Sequence, residues 1–427
     1  MRSRVIWRRS ATAIGVYTAA VLGFLTTVVS TRELGTDAYA RFAAVFAATT
    51  FFQQLLDLTI EEALVKFGFR YVEGAQWGRL RRLFEIALAF KLLGGVVAGL
   101  VICILAPFSK VVWGTGGVVV PMLIASLIAV VQSPENVAAG AIILRGRYDV
   151  RGAFLALSMA LRLVGLAIGC QYGVVGAVIG LVIAQLIATT AICVAGYAAY
   201  RRFPYAATEP IGDDFKRVRG FLVSSSLASS LDSARATLGT SLVPTVAPIV
   251  EAGYFRNAQA PATGLAALSA PARLVMLTEQ TRDFEAGKHD RVLAMHRRYV
   301  RSTGALMILV VPIFWILMPF LIGIAYGPDF RAHASEAARL VLVAAALQLV
   351  WGWTKSFPVS IGRPNLRVIT QAIEISVFIP LLLIFASKWG ATGAAGAMLI
   401  STVVFCSAWS VVLHRVKSSW AAEVAVS

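Results

Sequence analysis

The uncharged segment LLGGVVAGLVICILAPF, residues Leu92–Phe108, decides the fold class of this 427-residue chain. A helix needs about 20 consecutive apolar residues to cross the ~30 Å hydrocarbon core of a bilayer. Similar runs recur, among them Gly117–Val131, and hydrophobic residues make up 58% of the sequence against 14% charged residues. Only helices or closed barrels satisfy the backbone hydrogen bonds in lipid. The sequence therefore predicts an all-α, polytopic membrane protein.

The composition also excludes several classes of protein and site. A net charge of +17 indicates a nucleic-acid partner in a soluble chain, but Lys and Arg accumulate in the cytoplasmic loops of membrane proteins. The four cysteines lie inside apolar runs without paired spacing, so neither a disulfide nor a metal site is expected. No P-loop glycine motif is present, and no cofactor or covalent catalysis is predicted.

The apolar pattern predicts twelve transmembrane helices, and the first is a retained span, not a cleaved signal peptide. The basic residues then set their orientation. With the N-terminus inside, 26 of the 39 Lys and Arg fall on cytoplasmic segments and 5 on outside loops, which predicts that both termini are cytoplasmic. The predicted spans are 11–30, 40–62, 83–106, 118–143, 152–171, 174–198, 220–242, 253–278, 301–323, 337–358, 366–387 and 390–413.

Three pairs of short motifs recur at nearly one offset. GRYDVR (Gly146–Arg151) matches GRPNLR (Gly362–Arg367) 216 positions later, YGVVGA matches WGATGA at 217, and AYAR matches GYFR at 215. Basic turns alone would explain the first pair but not the shared spacing of the others. The spacing predicts two six-helix lobes, residues 1–200 and 220–427, joined by a cytoplasmic linker at 201–219. Parallel repeats of this kind are typical of transporters.

Seven ionisable residues fall inside predicted spans, where a charge is costly and usually faces a cavity or a partner. Each also has a structural interpretation. The two lysines can snorkel to the interface, the aspartate and second arginine can pair three residues apart, and the two glutamates can be protonated. Arg162 has no local partner, which favours a wet cavity. The seven residues are Lys91, Glu135, Arg162, Asp232, Arg235, Lys355 and Glu374.

The seventh predicted span is unusually polar. Ser225, Ser229 and Asp232 fall on one helical stripe, and serines in such a stripe serve either close helix packing or a hydrated face. Pro134 predicts a kink in the fourth span, next to Gln132. The basic segment Thr281–Arg301 predicts a helix on the cytoplasmic surface that contacts anionic membrane lipids.

Four segments of the chain carry a resemblance to a known family. The segments are STRELGTDAYARFAAVFAATTFFQQLLDLTIEEALVKFG (Ser30–Gly68), EAGYFRNAQA (Glu251–Ala260), YGPDFRAHASEAARLVL (Tyr326–Leu342) and SIGRPNLR (Ser360–Arg367). They resemble segments of the bacterial polysaccharide flippases, the O-antigen type of the multidrug/oligosaccharidyl-lipid/polysaccharide exporter superfamily. The order is that of the family over nearly the whole chain, although Thr59 stands where the family usually has Gly after Asp-Leu.

The resemblance implies two six-helix lobes around a central cavity and a function as an inner-membrane flippase for polyprenyl-pyrophosphate-linked oligosaccharide. We expect the pyrophosphate to meet Arg162, Arg235, Lys91 and Lys355, and sugar hydroxyls to meet Gln132, Ser225 and Ser229. Glu135, Asp232 or Glu374 would exchange a coupling proton or cation. Polysaccharide polymerase or assembly proteins are expected partners. The alternatives are an organic-cation antiporter of the same superfamily, which needs an acidic cavity, and a glycan polymerase or ligase, which needs a large outside loop.

Overall fold

The computed structural model describes most of the chain as helix. The described residues are 2–56, 60–112, 116–212, 214–216, 218–220, 227, 231, 237–266, 276, 280, 283–284, 289–361, 363 and 365–426. Within these ranges every regular element is helical. The described chain separates into two compact units, Met1–Thr245 and Val246–Ser427, which we call unit 1 and unit 2.

Unit 1 is built from long helices joined by tight turns. Its described helices are α1 (Arg2–Leu56), α2 (Ile60–Glu73), α3 (Trp77–Leu105), α4 (Ser109–Val112), α5 (Val119–Gln132), α6 (Glu135–Leu144), α7 (Tyr148–Gly169) and α8 (Gly173–Tyr200). Helix α1 bends at Gly35, which has a φ of 71°, and the α7–α8 turn uses Gly173 with a φ of 74°. Glycine reaches these left-handed angles without a steric penalty.

The predicted kink at Pro134 is confirmed, because α5 ends at Gln132 and α6 begins at Glu135. Proline has no N–H to donate to the preceding turn, and its ring clashes with the carbonyl four residues earlier. The fourth predicted span is therefore two helices, and the polar residues on either side of the break do not follow one continuous helical surface.

Unit 2 is also helical in the ranges that are described. Its helices are α9 (Ile249–Ala258), α10 (His289–Tyr326), α11 (Pro328–Val350), α12 (Phe357–Ser360) and α13 (Asn365–Val426). Helix α13 is interrupted at Trp389 and Gly390, where the sequence predicts a boundary between two spans. From His289 onward, the basic segment is continuous with the membrane helix that follows it. Residues 289–301 are helical, as predicted, and the position of this basic helix on the cytoplasmic surface stays a prediction.

Seven of the described helical segments are long and apolar enough to cross a membrane, and several of them include more than one predicted span. Segments Ile14–Gln53, Tyr148–Tyr200 and Asn365–Ser418 each contain a bend or turn at a glycine of positive φ. The protein is therefore a multi-pass membrane protein, while the count of twelve and the cytoplasmic termini stay predictions.

The first part of the predicted cytoplasmic linker packs on unit 1. The Arg81 side chain donates hydrogen bonds to the Tyr200 hydroxyl at 3.0 Å and to the Ala206 carbonyl at 2.9 Å. The Glu209 N–H donates to the Gly78 carbonyl, and Arg70 pairs with Asp214 at 3.3 Å. Residues 201–212 and Asp214 thus follow the surface of α2 and α3, and the predicted pair of six-helix lobes stays a prediction.

Candidate functional site

Unit 1 contains a partly open cavity of about 220 Å³ among helices α1, α3, α5, α6, α7 and α8. Its apolar and small lining residues are Phe46, Gly94, Gly95, Ala98, Ile128, Ala129 and Leu181. Its polar lining residues are Thr49, Thr50, Gln53, Lys91, Gln132, Ser133, Asn136, Arg162 and Gln185. A space lined by this many hydrogen-bonding groups in an apolar bundle is suited to a polar ligand.

Local sequence explains how two of the polar side chains reach this space. A Cβ at Gly95 would meet Ser133 and the Ala129 carbonyl, so this glycine lets α3 approach α5 closely beside Lys91. The break at Pro134 separates Gln132 on α5 from Asn136 on α6, and both side chains line the cavity. Residues four apart lie on the same face of a straight helix. Gln132 and Asn136 still line the same cavity although the helix is broken between them.

A chain of hydrogen bonds runs from the cavity into the interior of unit 1. Arg162 donates from Nη2 to Oε1 of Gln185 at 2.5 Å. Gln185 donates from Nε2 to Oε2 of Glu135 at 3.0 Å and to the Thr189 hydroxyl at 2.9 Å. On its other side Glu135 pairs through Oε1 with Nη1 of Arg151 at 3.5 Å. We call Arg151, Glu135, Gln185 and Arg162 the polar chain.

The middle of the polar chain is buried, and its two arginines are partly exposed. Gln185 is 1% exposed, Thr189 4% and Glu135 9%, whereas Arg162 is half-buried where it meets the cavity. Burying a charge is costly unless it is paired and hydrogen-bonded. The neighbouring groups satisfy Glu135 from two sides, which is consistent with a carboxylate deep in an apolar bundle.

Cations outnumber carboxylates around this cavity. Lys91 is 5% exposed, lines the cavity, and interacts electrostatically with Glu135, as does Arg162. Arg151 pairs with the same carboxylate. Among the described residues of this site, three cations therefore share Glu135, and the two that face the cavity leave it with a positive excess. Attraction for an anion is strong in a partly desolvated space of this kind.

A second pair of amides lines the same cavity. Gln53 on α1 donates from Nε2 to Oε1 of Gln132 on α5 at 2.5 Å. This bond leaves the Gln132 amide N–H₂ group and the Gln53 carbonyl with capacity for further hydrogen bonds. Amide groups on two helices can therefore bind hydroxyl-rich ligands as well as each other.

The structure brings four of the predicted site residues together and leaves the others apart. Lys91, Gln132 and Arg162 line the cavity, and Glu135 lies behind it in the polar chain. In unit 2, Lys355 is exposed at the end of a short turn and Glu374 is buried in α13. Their predicted roles stay predictions. The remaining four lie outside the described residues: Ser225, Ser229, Asp232 and Arg235.

Sequence reasoning missed the members that connect the site. Arg151 was counted with the cytoplasmic charges, yet its side chain reaches Glu135. Gln185 was not predicted as a site residue, because a single uncharged glutamine in an apolar helix is weak evidence for a site. The available pattern was the pair Gln185 and Thr189, which are four residues apart and therefore share one helix face.

Two of the motifs that carry the family resemblance have structural roles in unit 2. Tyr254, in EAGYFRNAQA, donates its hydroxyl to Oδ2 of Asp329 at 2.9 Å. Glu251 accepts a hydrogen bond from the Ala391 N–H at 2.7 Å, where α13 restarts after Gly390. Carboxylates satisfy unpaired N–H groups at the beginning of helices. These landmarks therefore stabilise helix junctions.

The comparison with protein families gives one match over most of the chain. The family model described as polysaccharide biosynthesis protein matches residues 9–281. A comparison with curated proteins finds no match.

Solved structures with the same fold cover nearly all of the chain. An inward-facing multidrug resistance MATE transporter of the MOP superfamily superimposes with a TM-score of 0.77 at 14% identity, covering 95% of this chain and 99% of that one. The lipid II flippase MurJ, in an inward closed conformation, gives 0.72 at 14% identity, with 94% and 87% covered. A MOP superfamily transporter from Pyrococcus furiosus gives 0.64 at 14% identity, with 97% and 96% covered. The chain therefore has the fold of the MOP superfamily.

Proposed function

The chain belongs to the polysaccharide biosynthesis protein family, and from that premise we propose that it is a flippase for a lipid-linked glycan. In this proposal it moves a polyprenyl-pyrophosphate-linked oligosaccharide across a bacterial inner membrane by alternating access. The observation that supports the substrate class is the positive excess of the unit 1 cavity, to which Lys91 and Arg162 contribute.

The proposed roles follow from the chemistry of the lining groups. A pyrophosphate presents several anionic oxygens, which the guanidinium of Arg162 can bind through two parallel hydrogen bonds. Lys91 adds a second cation on the facing helix α3. The amides of Gln53 and Gln132 are suited to sugar hydroxyls, while the prenyl chain stays in lipid. Glu135 is the carboxylate that would exchange a coupling proton or cation.

The competing function is export of organic cations, because a multidrug transporter shares this fold. A cation-binding cavity requires unpaired carboxylates facing the ligand. In the described part of this cavity the two charged lining residues are Lys91 and Arg162, both cationic, and Glu135 is already shared by cations. The local charge thus favours an anionic substrate.

A reconstituted transport assay tests the choice between these functions. Purified protein in proteoliposomes is offered either a fluorescent lipid-linked oligosaccharide or an organic cation, and translocation of each is measured. We expect translocation of the glycan lipid only, and its loss in Arg162→Ala. Arg82→Ala is the matched control, because Arg82 is exposed on α3 and its ion pair is with Glu85, which is also exposed and lies on the same helix face. Cation transport by the native protein, or full glycan transport by Arg162→Ala, would refute the proposal.

A further inference from the structure

The buried amide of Gln185 stands between two opposite charges. Its carbonyl oxygen accepts from Arg162 at 2.5 Å, and its N–H₂ group donates to Glu135 at 3.0 Å. The guanidinium and the carboxylate therefore hydrogen-bond to opposite ends of one amide. Among the described ion pairs, the two charged groups make no direct contact with each other. Thr189 fixes the amide orientation by accepting its second N–H at 2.9 Å.

We infer that Gln185 is a positioning residue that keeps the Arg162 guanidinium and the Glu135 carboxylate apart, so that the guanidinium stays available to an anion in the cavity. The identity of that anion as a pyrophosphate rests on the proposed function. The separation itself rests on the three hydrogen bonds of the amide and on its burial at 1% exposure.

The physical reason is the strength of charge attraction away from water. A guanidinium and a carboxylate in a partly desolvated interior attract each other several times more strongly than in bulk solvent. Their planar groups also match in a bidentate pair. Once formed, such a pair would neutralise the cavity cation and occupy the N–H groups that bind a ligand. An amide prevents this pairing because it offers each partner the hydrogen bond that it needs.

The polar chain gives Glu135 a partner on its other side as well. Arg151 pairs with Oε1, so the carboxylate is held from two directions while Oε2 meets the Gln185 amide. Lys91 also interacts electrostatically with this carboxylate. Removing the Gln185 amide would leave Oε2 as the nearest strong acceptor for Arg162. The expected consequence is a shift of the guanidinium from the cavity towards Glu135.

Gln185 could act only by stabilising the fold, or it could act as a spacer that keeps Arg162 and Glu135 apart. The two roles predict different results. If the amide only contributes hydrogen bonds to stability, then removing Glu135 as well should add a second defect. If the amide is a spacer, then removing the attracting carboxylate should restore the cavity cation. The sign of the coupling in a double-mutant cycle separates these cases.

The test measures the reactivity of Arg162 towards phenylglyoxal by mass spectrometry in the purified, full-length protein. We expect labelling of Arg162 in the native protein and a roughly tenfold loss in Gln185→Met, the effect of capturing a group in one charge-assisted hydrogen bond. Methionine keeps the length of the side chain without the amide. In the double variant Glu135→Gln/Gln185→Met, labelling should return towards the native level.

Further variants serve as controls for the labelling experiment. Gln348→Met removes another membrane-helix amide, which bonds the Thr402 hydroxyl at 3.2 Å in unit 2, and it should leave Arg162 labelling unchanged. If Gln185→Met fails to fold, Glu135→Gln alone should still keep or increase Arg162 labelling. An unlabelled Arg162 in the native protein, native labelling in Gln185→Met, or a double variant as unreactive as Gln185→Met overturns the inference.

A binding measurement separates this inference from the proposed function. Farnesyl pyrophosphate is the probe, and its dissociation constant is measured with the native protein and the same variants. Weaker binding in Gln185→Met, with recovery in the double variant, supports both ideas. If the native protein does not bind the probe, the proposed substrate class is wrong, while the labelling experiment still decides the role of Gln185.

Discussion

The interiors of the two units are filled in different ways. In unit 1, helices approach through glycines: a Cβ at Gly165 would collide with the Gly180 carbonyl, and one at Gly169 with the Gly176 carbonyl. In unit 2, rings fill the space, with Trp353 packed edge-on against Trp409 at 5.5 Å. Small residues let backbones approach closely in membranes, whereas edge-to-face rings fill a wider gap.

The two units also differ in how their buried polar groups are hydrogen-bonded. Those of unit 1 hydrogen-bond each other around the cavity, as Gln185 does with three partners. In unit 2, Trp353, Phe357 and Trp409 form what we call the ring cluster, and the indole N–H groups of Trp353 and Trp409 are buried and have no hydrogen-bond partner among the described residues. The comparison indicates that the ring cluster fills the interior of unit 2 with apolar surface, while the interior of unit 1 is arranged around a polar space.

The largest expected effect on stability comes from the ring cluster. Trp409→Ala should destabilise the protein by about 3–5 kcal/mol, because it removes a fully buried indole and leaves a void. The midpoint of thermal unfolding in detergent measures the effect. Trp389→Ala is the matched control, since Trp389 is 59% exposed. Equal midpoints for the two variants would contradict a stabilising role of the ring cluster.

The next largest effect should come from the glycine contacts of unit 1. Gly165→Ala should cost about 1–3 kcal/mol, because the new methyl group forces α7 and α8 apart. Gly304→Ala, where the methyl group would enter open space, should be neutral or stabilising by up to about 1 kcal/mol. The same unfolding assay compares the two. A neutral Gly165→Ala would show that close approach of these helices is unnecessary.

A smaller effect is expected at a helix junction of unit 2. Tyr254→Phe removes the hydrogen bond to Asp329 but keeps the ring that packs edge-on against Phe330. One such bond contributes about 0.5–1.5 kcal/mol. Glycan transport should persist, because neither residue lines the unit 1 cavity. Loss of transport with a normal unfolding midpoint would instead place this junction in the transport mechanism.

The smallest effect on stability should accompany a large effect on function. Lys91→Met removes a buried cation, but Glu135 keeps its ion pair with Arg151 and its hydrogen bond from Gln185, so no buried carboxylate is left uncompensated and stability should change little. Translocation of the glycan lipid should nevertheless fall roughly tenfold or more, because the cavity loses one of its two cations. The assay is proteoliposome transport at matched protein density. A variant that transports normally would remove Lys91 from the site.

Much of the site could be suspected from isolated charges, but its connections could not. Lys91, Glu135 and Arg162 stand out because ionisable residues are rare in apolar spans. Nothing in the sequence shows that one glutamine joins the last two, since that requires α6, α7 and α8 to pack in a particular register. Likewise, Lys91 and Lys355 look equivalent in sequence, yet one is buried and the other exposed.

The sequence by itself determined the solvent in which this chain folds, the helical nature of its spans and several of their breaks. These properties depend on local composition, such as the uncharged run Leu92–Phe108 and the missing N–H of Pro134. Tertiary structure alone decided which buried charges meet. Arg151 and Arg162 are both arginines of α7, but packing brings one directly to Glu135 and places an amide between Glu135 and the other. Electrostatic energy depends on distance and surroundings, and residue order specifies neither.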